Sequence, residues 1–214
     1  MTISLIHPSR SRPEKAKQTY DFWISQSSGL TEIEHILSLD FSDILNEDYD
    51  IFEKSRITID HNESVVEATN QACKIAKGDI LIYLSDDFLC PKHWDILILD
   101  KFIGVESPML LKVDDCLQPF NIAVLTIPIM NLFLYQKLGY FWNPEYKSMF
   151  VDEHLYWITK NNNWLVDAPE LKFKHDHHTV SNNNVNDETY QRSANNWHTG
   201  KATFEKHKKL NFPL

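Results

Sequence analysis

The chain has 214 residues, 43% of them hydrophobic and 24% charged, which fits one domain with a full-sized core. Its formal net charge of -9 argues against a sequence-independent grip on nucleic acid. No apolar run is long enough to span a membrane; the longest candidate, Asn121 to Leu134, is broken by Pro128 and carries Asn121 and Asn131. Cys73, Cys90 and Cys116 are scattered, in no metal-ligand spacing, and read as reduced thiols. Thr2 to His7 is too short for a signal peptide, so the expectation is a cytoplasmic protein.

Along the chain, Thr2-Ile3-Ser4-Leu5-Ile6 predicts a strand. Pro13 suits the first turn of a helix whose Ala16, Tyr20, Trp23 and Ile24 recur at helical spacing through Gln26. Between strand and helix lies a loop, His7-Pro8-Ser9-Arg10-Ser11-Arg12, with a small basic cluster. Ile33 to Leu39 predicts a second strand closed by Asp40, and Arg56 to Ile59 a third closed by Asp60. Asn62 or Ser64 can cap a helix bearing Val65, Ala68, Ala72, Ile75 and Ala76 on one face, with Gly78 as its left-handed terminator. Ile80 to Leu84 then reads as a buried strand. This alternation implies a mostly parallel sheet flanked by helices.

The later chain is less regular. Met109 to Val113 and Ile122 to Pro128 read as strands, and Asn131 to Leu138 as a helix stopped by Gly139. Val151 to Asn161 is another helix, followed by short strands at Trp164 to Val166 and Leu171 to Phe173. From His175 to Thr199 the composition of Asn, Thr, His and Ser suggests a long loop of the kind that serves as a lid. Thr203 to Leu210 reads as the lysine-rich end of a helix.

Four constellations bear on chemistry. Ser85-Asp86-Asp87 puts two adjacent carboxylates just past the C-terminal end of a strand, where ligands bind in open α/β sheets, and a divalent metal is one good reason to place them there. Asp152 and Glu153 stand at the start of a helix. An acidic helix N-terminus is favourable in itself, and a positioned carboxylate there also suits a general base. His175-Asp176-His177-His178 follows a strand-like run, with no cysteine pairs that would point to structural zinc. Tyr140 and Trp142 offer flat apolar faces of the kind that stack on sugars or bases.

Asn70, Ala72, Ala76, Gly78 and Asp79 lead into the Asp pair, and Pro91 and Trp94 follow it. In this pattern the chain resembles the family 2 type of glycosyltransferase, strongest from Thr58 to Trp94 and fair from Leu138 to His178. The resemblance implies an α/β fold of GT-A type, one domain with a nucleotide-binding half at about 1–105, an acceptor half at about 106–180, and a loop and C-terminal helix at 181–214. It also implies transfer of a sugar from a nucleotide diphosphate sugar, a uridine diphosphate sugar by family frequency, to a glycan or other hydroxyl acceptor. By the same resemblance Ser85-Asp86-Asp87 replaces the family's Asp-x-Asp. Asp87 is then the main ligand of a Mn or Mg ion, and Asp86 a ribose or second metal contact. His175 and then His177 are further metal candidates. Pro8, Ser9, Arg10, Arg12, Asp40 and Asn62 line the nucleotide. Asp152, with Glu153 behind it, is the base of an inverting displacement. A nucleotidyltransferase is disfavoured, because none of the five glycines lies between Ser9 and Lys17. A non-catalytic nucleotide-sugar binder and a retaining enzyme are the remaining alternatives.

Overall fold

A computed structural model describes residues 1–177 and 188–214. The strands are β1 (Thr2–Pro8), β2 (Glu32–Asp40), β3 (Arg56–Asp60), β4 (Ile80–Tyr83), β5 (Phe88–Leu89), β6 (Leu110–Asp114), β7 (Pro128–Asn131), β8 (Leu165–Lys172) and β9 (Lys174–His175). Seven of them form the central sheet, in the order β3-β2-β1-β4-β7-β6-β8, while β5 and β9 pair separately. Strands β1 to β4 run parallel; β7 is antiparallel to β4 and β6, and β6 and β8 are again parallel. The C-terminal ends of β1 to β4 therefore share one sheet edge, which is where an open α/β sheet presents its ligand loops.

The helices are α1 (Pro13–Gln26), α2 (Val65–Ile75), α3 (Trp94–Phe102), α4 (Leu132–Leu138), α5 (Val151–Asn161), α6 (Glu188–Ala194) and α7 (Trp197–Lys209). Ser64 caps α2 by accepting from Glu67 N–H, and Glu67 reaches back to Glu63 N–H, a reciprocal cap. Asn131 caps α4, and Gly139 ends it in the left-handed conformation. One apolar cluster, with Trp23, Trp94, Ile98 and Phe173, packs on one side of the sheet; a second, with Val66, Leu134, Trp142, Leu155 and Phe204, packs on the other. No described helix is long and apolar enough to cross a membrane.

Four sequence expectations are corrected. Helix α2 ends at Ile75, and Gly78 is not a left-handed terminator. Glycine is needed at 78 for close approach: a Cβ there would lie 2.7 Å from Ser4 N and 3.0 Å from Thr2 O of β1. Residues 122–127 do not extend; the strand is Pro128–Asn131, set by pairing with β4 and β6. The two short strands expected around residue 168 are one strand, β8, with an irregularity opposite Val113/Asp114. Pro169 is tolerated there because β8 is an edge. Where a loop is expected from His175 to Thr199, the described residues include regular elements: His175 lies in a short strand, and α6 and the start of α7 are helical. Of that segment, residues 178–187, His178 among them, lie outside the described residues.

Candidate active site

The Asp pair is fixed by its backbone as much as by its side chains. After β4 the chain turns through Ser85-Asp86-Asp87 into β5, which pairs antiparallel with β9. This two-residue ladder puts His175 opposite Phe88, and Asp176 N–H donates to Asp87 O at 2.8 Å. Helix α1 clamps the same turn from below: Thr19 Oγ1 donates to Asp86 O at 2.6 Å, and Trp23 Nε1 to Phe88 O at 2.9 Å. Trp23 lies on the face of α1 that the helical spacing predicts, and Thr19, which that spacing does not include, is buried with it, whereas Ile24 is exposed.

The two carboxylates face different partners. Asp86 Oδ1 lies 2.8 Å from His7 Nε2, and Ser9 Oγ donates to Asp86 Oδ2 at 3.1 Å. An ionised carboxylate only accepts, so His7 donates from Nε2. Behind it, His7 Nδ1 meets His35 Nε2 at 2.9 Å, and His35 Nδ1 meets Ser55 Oγ at 2.5 Å. Both imidazoles are buried, and burial holds the His35 pKa well below the ordinary histidine value, with His7 adding to the effect. The sequence expectations do not include this chain of polar contacts; the placing of His7 and His35 among apolar strand residues was its only signal.

Asp87 faces the other way. Tyr190 Oη donates to Asp87 Oδ2 at 2.6 Å, and His175 Nε2 lies 3.2 Å from the same oxygen. Burial would raise the Asp87 carboxyl, but the hydrogen bond and charge of His175, with the Tyr190 and Ser85 hydroxyls, outweigh it and hold it well below the usual carboxylate range. Asp87 Oδ1 and His175 Nδ1 are buried with no hydrogen-bond partner. A buried acceptor with nothing to accept is costly unless something fills the place. A carboxylate oxygen beside an imidazole is a donor set that suits Mn or Mg when phosphate oxygens complete the shell. Among the described residues, no three His, Cys, Asp or Glu side chains converge as a metal-holding group. Of the four candidates, the structure thus brings Asp87 and His175 together. Asp86 is committed to His7 and Ser9, and the His177 ring stands 5.0 Å from those of His175 and Tyr190.

Pro8, Ser9, Arg10, Arg12, Asp40, Asn62 and Asp86 all line one cavity of about 180 Å³ at this sheet edge. Asp40 accepts from Ser42 and is paired with Arg10, while Arg192 stands 3.6 Å away. Burial pushes the Asp40 carboxyl up, but the Ser42 hydrogen bonds and the two guanidinium groups bring it below its ordinary value. Asn62 Nδ2 donates to Leu39 O, which ties the start of the α2 loop to β2. Helix α6 roofs the cavity through Tyr190, Arg192 and Ser193. The Arg12 guanidinium sits 4.4 Å over the Tyr190 ring, and Arg192 Nη2 donates to Glu63 O. A wider cleft of about 1040 Å³, lined by Lys15, Gln18 and Phe22 of α1, meets the Asp pair from the other side.

Asp152 and Glu153 lie in the first turn of α5. The residue before the helix, Phe150, adopts φ 70, a left-handed conformation uncommon outside glycine. Gly200 of α7 packs against that corner: a Cβ there would be 3.1 Å from Met149 C. Burial raises the Asp152 pKa to about 6; the helix N–H groups lower it, and Asp115 raises it. Burial also raises Glu153, to about 7, with Asp152 adding to it. Tyr83 links this corner to the Asp pair: burial raises its phenol, and Asp87, Asp86 and Asp152 each push it further up. Trp142 meets the Tyr83 ring edge-on at 5.5 Å, while Phe141 is fully buried, so this aromatic segment is mostly core.

Solved structures share this architecture. The fold is that of GT-A-type glycosyltransferases. A mannosyltransferase from Pyrobaculum calidifontis, solved with GDP-Man and Mn2+, superposes with a TM-score of 0.68 at 12% identity over 95% of this chain and 64% of its own. S. aureus TarS 1-349 in complex with UDP gives 0.64 at 15% identity, covering 81% of this chain and 59% of that one. Glucosyl-3-phosphoglycerate synthase from Mycobacterium tuberculosis, with Mn2+, UDP and phosphoglyceric acid, gives 0.62 at 16% over 92% and 76%. The chain thus spans about three-fifths of the TarS fragment it matches. No protein-family profile matches the chain, and no curated protein does.

Proposed function

We propose that the protein transfers a sugar from a nucleotide diphosphate sugar to an acceptor hydroxyl, with Mn or Mg held at Asp87 and His175. The observation that carries the reading is the buried, unpartnered Oδ1 of Asp87, whose other oxygen meets His175; Asp87 lines the wide cleft with Arg12 and Lys15, and its neighbour Asp86 lines both that cleft and the cavity of Arg10, Arg12 and Arg192. A metal bound there would stabilise the negative charge that develops on the departing diphosphate. Arg12 and Arg192 supply fixed positive charge on the same side, and Asp86, locked by His7 and Ser9, presents its edge to the ribose. Of the three neighbours described, two carry UDP and one GDP-Man, and UDP is the donor nucleotide we favour.

Asp152 is the base. An acceptor hydroxyl must lose its proton as it attacks, and a carboxylate with a pKa near 6 is ionised at neutral pH yet more basic than an exposed one. Asp152, Asp86 and Asp87 all act on the Tyr83 phenol, so the three carboxylates are grouped around one side chain. A single displacement with one base inverts the anomeric centre.

At about 180 Å³ the cavity is below the ~300–1,000 Å³ of small-molecule sites, so the donor enters only as α6 shifts. Helix α6 buries no residue, and it meets the site through Tyr190 on Asp87 and Arg12, and through Arg192 on Glu63 and Asp40.

The reading is tested by thermal shift with UDP and GDP, with and without Mn, in the wild type, Asp87→Asn and Asp152→Asn. Metal-dependent stabilisation by nucleotide should be lost in Asp87→Asn and kept in Asp152→Asn, while transfer from a labelled donor is lost in both. Nucleotide binding that ignores both Mn and the Asp87 change would refute the metal assignment, and an anomer-retained product by NMR would refute Asp152 as base.

A further inference from the structure

The β3 edge of the sheet has no strand beside it among the described residues. Edge strands are usually short, charged or covered, because their free N–H and C=O groups invite pairing. Here the edge is apolar on one face. Ile57 and Ile59 are 39% and 51% exposed. The segment that joins β2 to β3 adds Phe41 at 65% and Ile44 at 92%.

The backbone geometry says which groups of β3 point outward. Asp60 O accepts from Phe41 N–H at 2.8 Å, so Asp60 bonds inward, to the β2 side. In a parallel ladder alternate residues bond to a given neighbour. Arg56 and Thr58 therefore also bond inward, and Ile57 and Ile59 carry the outward N–H and C=O groups.

We infer that β3 is the contact by which two copies of this chain associate, pairing antiparallel about a twofold axis centred on Thr58. In that register Arg56 faces Asp60 of the second copy, Ile57 faces Ile59, and Thr58 faces its own counterpart. The strand Arg-Ile-Thr-Ile-Asp is thus complementary to itself in charge and in shape. Opposite charges and β-branched pairs directly across an antiparallel ladder are the favourable combinations. The outward groups fit the same register: Ile57 and Ile59 exchange both main-chain bonds, and Thr58 falls between them as a non-hydrogen-bonded pair. A twofold contact closes on itself, so the exposed edges are consumed in pairs rather than extended into fibres. Arg56 already pairs with Glu34 at 3.0 Å, and Asp60 with Gln71; the guanidinium has donors enough to reach a second carboxylate.

Sedimentation velocity of the full chain should show a dimer at micromolar concentration. Arg56→Asp should weaken it about tenfold or more, by placing like charges across the ladder twice, and adding Asp60→Arg should restore it. A second measurement does not depend on the stability of those variants. Non-hydrogen-bonded pairs bring Cα atoms to about 4.5 Å, within disulfide reach. Thr58→Cys, made together with Cys116→Ser because Cys116 is exposed, should form a covalent dimer on oxidation, and the Cys116→Ser protein without the Thr58 change should not. A monomer at every concentration overturns the inference. So does a dimer that neither cross-links through position 58 nor responds to the charge reversal.

Discussion

Replacing Asp152 by Asn should make the protein more stable while it abolishes transfer, and the gain should depend on pH. The carboxyl has a folded pKa of about 6 against 3.8 in the unfolded chain. The folded state thus binds this proton more tightly, so the group costs nothing below pH 3.8 and destabilises progressively as pH rises to about 6. The difference of about two units corresponds to about 3 kcal/mol above pH 6, net of the helix N–H groups that already favour the ionised form. Asn keeps the shape and never ionises. Urea unfolding at pH 7.5 should therefore show Asp152→Asn more stable by about 1–3 kcal/mol, and at pH 4 the two proteins should unfold nearly together. Glu153 is pushed up partly by Asp152, so it should ionise at lower pH in the variant. An Asn variant no more stable than the wild type at pH 7.5, or a gain that persists at pH 4, would refute the claim that Asp152 is a half-buried, destabilised base.

Three further outcomes follow from neighbouring contacts. Gly200→Ala adds helix propensity of about 1 kcal/mol, but its Cβ would press on the Met149 carbonyl carbon at 3.1 Å. Overpacking of about 1–3 kcal/mol should win, lowering the melting temperature and, by moving the Phe150 corner, the transfer rate. Tyr190→Phe removes the hydroxyl that occupies Asp87 Oδ2, so Mn should bind roughly tenfold more tightly by calorimetry; weaker binding would make the hydroxyl part of the metal site instead. His7→Leu leaves the buried Asp86 carboxylate with its Ser9 contact and the Arg12 guanidinium at 4.0 Å, and should cost about 2–4 kcal/mol in urea unfolding, whereas His7→Gln keeps a donor and should lose less.

The N-terminal half of the fold is legible in the chain alone. Short apolar runs closed by Asp40, Asp60 and the Asp86–Asp87 pair, with Ser64 and Gly139 as helix punctuation, are local signals, and strands and caps obey them because each depends on residues within a turn or two. The loops expected to line a ligand meet in one cavity, because parallel strands bring all their C-terminal ends to one edge. What depends on distant partners appears only once the chain is folded. Gly78 answers to β1, more than seventy residues earlier, and not to the helix beside it. His175 becomes a neighbour of Asp87 only through the β5–β9 ladder, and α6 becomes a roof only by folding back over Arg12. The resemblance already ranks Asp87 above Asp86 as a metal ligand, but the physical difference between the two carboxylates appears only in the fold: Asp86 is buried against His7 and Ser9, and Asp87 lies beside His175 with an unfilled acceptor.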